Sequence, residues 1–194
     1  MKKILTLALT LLITACQQAP SAYKPEPFAF ESPNIAPINI NVAKIDLINH
    51  YQSPLKRPNV EQDFLVTPSS AIEKWVGNRM RAAGNQGTLQ IIVHEAKVLE
   101  SPLAKTQGVK GLFTDDQDAR YDTKLAVTFR LFDGASTASR ASGDVEVTRF
   151  ITINEKATIF ERQQKYHQML EQAMADFDRE ANNRFRQYFL PYLR

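Results

Sequence analysis

Hydrophobic positions along this 194-residue chain change period several times, and each change marks an element. Ile38, Ile40 and Val42 alternate with Asn39 and Asn41, and the apolar phase then switches to Ile45 and Leu47. This predicts a strand with a bulge near Ala43-Lys44. Ile72, Trp75, Val76, Met80 and Ala83 form a single helical stripe, which predicts a helix over 68–83. Thr67-Pro68 supplies its N-cap and first position, Ser70 and Glu73 read as a capping box, and Gly84 closes it. Residues 88–99 predict a second strand, in which Leu89, Ile91 and Val93 give way to Ala96 and Val98 across a bulge near His94-Glu95. The third strand alternates most regularly: Tyr121, Thr123, Leu125, Val127, Phe129 and Leu131 face in, and Arg120, Asp122, Lys124, Thr128 and Arg130 face out. Asp133-Gly134 turns the chain into a fourth strand carrying Val145, Val147, Ile151 and Ile153, with Arg149 on the same face, near a sheet end or paired. A long helix over 156–189 ends the chain; Thr158 and Glu161 frame its start, Pro191 marks its end, and the Phe160–Tyr188 stripe suits the cover of a sheet.

The order β-α-β-β-β-α predicts an α+β fold: a four-stranded mixed sheet with both helices packed on one face. A strand–helix–strand step gives parallel neighbours, and the last three strands form an antiparallel meander. Parallel first strands send the segments after them out at one end of the sheet. Those segments, 49–66 and 101–118, are long for a compact domain, and long ordered loops are often functional. The candidate partner-binding residues are Tyr51, Lys56 and Arg57 on the first loop and Phe113, Asp115 and Asp116 on the second. The chain before the first strand is expected at the opposite end, so that these loops would point away from it.

The first sixteen residues, MKKILTLALTLLITAC, follow a different logic. Lys2 and Lys3 precede an apolar run of about ten residues, too short to span a ~30 Å hydrocarbon core but fitting a signal-peptide core. The run ends Ile13-Thr14-Ala15-Cys16, which resembles the bacterial lipobox, and Cys16 is the only cysteine in the chain. The resemblance implies cleavage before Cys16 and acylation of that residue, and acyl chains at ~0.8 kcal/mol per buried CH₂ give stable anchoring once two or more are present. By resemblance to the sorting rule of Gram-negative lipoproteins, Gln17 in place of Asp implies the periplasmic face of the outer membrane. The expected organisation is therefore 1–15 signal peptide, 16–34 lipidated Cys16 and Pro-rich tether, and 35–194 a single domain. Phe28 and Phe30 are unusual in a linker and either dock on the domain or contact a partner.

Together, lipobox, tether and β-α-β-β-β-α order resemble small Gram-negative envelope lipoproteins. These are the auxiliary lipoproteins of ABC-type transport systems and the lipopolysaccharide-assembly lipoprotein. The resemblance implies a non-catalytic accessory or scaffold role, with a membrane partner through the acyl chains and an envelope protein as second partner. The alternative is a lipid or amphiphile carrier holding an acyl chain between helices and sheet.

Composition changes this picture little. A hydrophobic fraction of 43% and a charged fraction of 23% suit a globular domain. The formal charge of +3 falls once residues 1–15 are removed, because Lys2 and Lys3 leave with them, and no basic cluster suggests nucleic acid. No phosphate loop or nucleophile elbow is present, His50, His94 and His167 are far apart in sequence, and one cysteine excludes a multi-cysteine zinc site. Asp115, Asp116, Asp118 and Asp122 lack the spacing of a calcium loop and sit beside Arg120 and Lys124. No cofactor, no metal and no catalytic residue is expected.

Overall fold

The computed structural model describes residues 23–103, 117–134, 137–154 and 156–194. The signal-peptide segment, Cys16, Phe113, Asp115 and Asp116 lie outside the described residues.

The α+β architecture is the expected one. Strands β2 (Lys44–Asn49), β4 (Thr88–Pro102), β5 (Gln117–Phe132) and β6 (Ala141–Asn154) form a mixed sheet in the order β2-β4-β5-β6. β2 and β4 are parallel, with Lys44 opposite Thr88 and Asn49 opposite Val93; β4, β5 and β6 are antiparallel. Helices α1 (Pro68–Arg79) and α2 (Ile159–Tyr188) lie on one face. Between them and the sheet, Trp75, Phe129, Phe177, Phe185 and Phe189 are fully buried. Trp75 meets Phe177 edge-on, with ring centroids 5.0 Å apart. Asp178 ties the helices together, accepting from Trp75 Nε1 at 2.8 Å and Arg79 Nε at 2.7 Å. The bulge in β4 falls between Val93 and Glu95 as expected, and it switches the inward set from Leu89, Ile91 and Val93 to Ala96 and Val98. Arg149 is paired: with Arg179 it holds the buried Asp176 carboxylate.

Two expectations change. The first strand is not one bulged strand but two with different partners. β1 (Ile38–Ile40) pairs in parallel with β3 (Met80–Ala82), and only β2 joins the main sheet. The cause is α1, which ends at Arg79 and not at 83. Met80 is already extended (φ −104°, ψ 134°), while its N–H still reaches Val76 O. The chain thereby gains ladder bonds to β1, and Ala83 N donates to Ile40 O at 2.8 Å. Gly84 is consequently not a helix cap. It lets the Asn41-Val42 backbone approach, where a Cβ would stand 2.6 Å from the Asn41 carbonyl carbon. At α1's start, Thr67 Oγ1 accepts from Ser70 N at 3.2 Å. Ser70 thus lies inside α1, two positions after Pro68, and is not its N-cap.

The second correction concerns the chain before β1. Residues 23–36 do not enter at the end opposite the long loops; they run down the helical layer from the loop end. Tyr23 packs edge-on against Phe160 in the first turn of α2, with centroids 5.2 Å apart. Phe28 stacks beside Phe30 at 5.2 Å and lies 5.0 Å from the His167 ring. Ala29 N donates to Glu171 Oε1 at 2.9 Å, Glu31 pairs with Lys74 at 3.4 Å, and Arg79 donates to Ala36 O. These contacts advance steadily along α2 and then cross to α1. Phe28 and Phe30 are both buried, and burial of two aromatic side chains drives the docking. The alternation that marks β1 says nothing of this strap, which forms because the groove between two helices needs apolar cover.

Candidate functional site

The loop end of the sheet holds the described part of the sequence-derived candidates. β2 stops at Asn49, but β4 continues to Pro102. The first long loop folds back to serve as β2's replacement. Asn59 bridges Leu99, Val60 N donates to Val98 O at 3.0 Å, and Glu100 N donates to Pro58 O at 2.8 Å. The loop thus holds one antiparallel bridge on the upper half of β4. Beneath it Val60, Phe64, Val98, Ala119, Tyr121, Ile153, Tyr166 and Met169 form a second apolar cluster. Phe64 stacks on Tyr166 at 4.2 Å and Tyr121 meets Tyr166 edge-on at 5.1 Å.

The three described candidates have distinct surroundings. Tyr51 is half-buried, and its hydroxyl donates to Glu61 Oε1 while accepting from Asn59 Nδ2 at 3.2 Å. Glu61 is only 3% exposed, and its other oxygen accepts from Val98 N at 3.2 Å. Burial alone would raise the Glu61 pKa; hydrogen bonds from Ser53, Tyr51 and backbone N–H groups outweigh it and hold the carboxyl below its usual range. The same arrangement pushes the Tyr51 phenol well up, through burial first and the Glu61 carboxylate second. Arg57 reaches across to Glu100 and, at 3.9 Å, to Asp63. Glu100 also accepts from Tyr121 Oη at 2.7 Å. Lys56 is exposed. Tyr51 and Arg57 therefore pin the loop, and Lys56 points outward from it. Glu61 was missed by sequence reading, because its partners lie ten residues before and 37 residues after it.

Four large apolar side chains are exposed at this end: Leu55 (70%), Leu65 (58%), Ile159 (81%) and Phe160 (46%). Leu65 N donates to Gln163 Oε1 at 3.3 Å, which joins the loop to the first turns of α2.

The His50 and His94 rings face each other edge-on, with centroids 6.1 Å apart. His94 Nε2 lies 3.0 Å from Thr128 Oγ1 on the outer face of the sheet, and Thr128 Oγ1 donates to Asp144 at 2.7 Å. The hydroxyl hydrogen is already committed to Asp144, so the imidazole can only donate to that oxygen. This is the reverse of the order that activates a nucleophile. His167 packs on Phe28. Asp122 is held by Arg120 at 2.7 Å. Among the described residues no group of three or more His, Cys, Asp or Glu is placed to hold a metal ion.

No protein-family model matches the chain, and no curated protein matches it in sequence. Among solved structures, rare lipoprotein B from Shewanella oneidensis is similar at 12% identity and a TM-score of 0.37, over 72% of this chain and 92% of that one. A DUF330 family-model protein from Xanthomonas campestris is similar at 10% identity and a TM-score of 0.36, over 80% and 91%. A minor lipoprotein from Acinetobacter baumannii is similar at 13% identity and a TM-score of 0.33, over 75% and 95%. At these scores the likeness says nothing about chemistry.

Proposed function

We propose that the chain is an envelope lipoprotein, anchored through acylated Cys16 at the periplasmic face of the outer membrane. It serves there as a non-catalytic accessory that binds another envelope protein. The lipobox-like MKKILTLALTLLITAC start supports the anchoring. Among the described residues no helix is long and apolar enough to cross a membrane.

The observation that carries the accessory role is the outer edge of β6. This strand is 14 residues long and pairs with β5 alone among the described strands. Arg184 Nε donates to Asp144 O at 3.0 Å and covers the lower part of the edge. In the upper part, Glu146, Thr148, Arg149 and Phe150 are exposed and only Val147 is buried, and this stretch is where a strand could be added. The filled space between helices and sheet favours this reading over an acyl-chain carrier, since five aromatic side chains occupy that space.

A photo-crosslinking residue placed at Thr148 in the full chain is expected to capture one envelope protein in cells. The same residue at exposed Arg186 on α2 is expected to capture none. Cys16→Ala is expected to abolish both lipid labelling and capture. Lipid labelling that persists in Cys16→Ala sinks the anchor, and equal capture from positions 148 and 186 sinks the edge.

A further inference from the structure

We infer that the loop end of the domain rests on the phospholipid surface, with Leu55, Leu65, Ile159 and Phe160 entering the boundary between headgroups and acyl chains. The inference builds on the anchoring proposed above. Its first support is where the described chain begins. Tyr23 sits at the loop end, against Phe160. Seven residue steps separate it from Cys16, which can span at most roughly 25 Å. α2, at 30 residues, is about 45 Å long. Cys16 held in the bilayer therefore keeps the loop end near the surface, while the other end of α2 stands beyond the reach of the same seven steps.

The second support is what that end carries. Four of the large apolar side chains left exposed in the domain are gathered there, on two separate elements. Isolated exposed leucines need no explanation, but a group at one end, rimmed by polar residues, marks an interaction surface. Exposed Lys56 follows Leu55 directly, and exposed Lys165 lies on the second turn of α2. Lysines at such a rim lay their stems on apolar surface and keep their charge among headgroups. The elsewhere exposed Phe150 is different: the Arg120 guanidinium covers its ring at 3.7 Å. The loop is also tied down, by its bridge to β4 and the Tyr51–Glu61 bond, and so presents its side chains from a fixed base.

The test uses the full lipidated chain reconstituted in vesicles of phosphatidylethanolamine and phosphatidylglycerol. Because Cys16 is the only native cysteine, Leu55→Cys, Ile159→Cys and Leu190→Cys each give one site for a bimane label. All three positions are exposed, and Leu190 marks the opposite end. With nitroxide placed on the upper acyl chain of the lipid, quenching at positions 55 and 159 is expected to exceed that at 190 at least threefold. Equal quenching at all three positions, or stronger quenching at 190, overturns the inference while the chain still floats with the vesicles. Failure of the anchor itself looks different: the chain does not float, and the unsubstituted protein takes up bimane at a free Cys16 thiol.

Discussion

A single carboxylate decides much of the behaviour of the first loop. Glu61 is buried, accepts from Tyr51 and from Val98 N, and is held ionised by those donors. Removing the phenol hydroxyl takes away one donor but leaves the charge in place. Tyr51→Phe is therefore expected to cost about 1–3 kcal/mol, read as a lower urea midpoint with an unchanged slope. The pH dependence follows from the sign of the shift. A carboxyl whose folded pKa lies below its unfolded value contributes its full stability above the unfolded pKa, near 4.3. That contribution is lost as pH falls through the lower, folded pKa. Asp176 adds to the same trend, because hydrogen bonds and charge from Arg179 and Arg149 outweigh the effect of its burial. Stability is thus expected to drop on acidification below about pH 4.5, and Glu61→Gln is expected to flatten that drop in urea titrations run at several pH values. Tyr51 and Arg57 were legible as residues of interest from their place in a long loop. Their roles were not, because the acids they engage are set by folding and not by spacing.

At the scale of elements, periodicity proved strongest where an element is long. The third predicted strand, the β4 bulge and the Thr158–Glu161 capping box all read directly from the chain, since each depends on residues a few positions apart. The region from 80 to 84 did not. Met80 and Ala83 fit a helical stripe, yet pairing with β1 offers Met80–Ala82 a ladder that the helix cannot. Two short strands 42 residues apart form only as a pair, so neither carries a local signal. Gly84 is the point at which the two expectations separate. A helix-capping glycine adopts a left-handed φ, which Gly84 does not, so what Gly84 supplies is space and not backbone freedom. Gly84→Ala must displace the Asn41-Val42 backbone. It is expected to destabilise the fold by about 1–3 kcal/mol, read by thermal melting. A loss of a few tenths only would show that the Asn41-Val42 backbone gives way freely.

For the whole molecule, the sheet order and the two-helix layer were available from pattern alone, because parallel and antiparallel steps follow from connection length. The direction of the first segment was not. Phe28 and Phe30 sit in a proline-rich stretch without period, and only the groove between α1 and α2 gives them a place. Their burial brings the segment before β1 to the loop end of the domain and not to the opposite end. Phe28→Ala is expected to cost about 3–5 kcal/mol if the strap stays packed around the cavity. If the strap releases instead, the loss is smaller, and limited proteolysis cuts between Tyr23 and Ser32 while leaving α2 intact. No change in either stability or cleavage would show that the aromatic pair does not hold the strap.

The course of that strap also sets how the domain bears load. Tension applied through Cys16 reaches the fold at Tyr23 and acts along the line of α2, because the contacts from Phe160 to Glu171 follow one another in that direction. Pulled this way, the aromatic contacts and the Ala29–Glu171 bond are loaded side by side, in shear, rather than opened in turn like a zip. The seam between strap and helices is therefore a mechanical joint, loaded along its length.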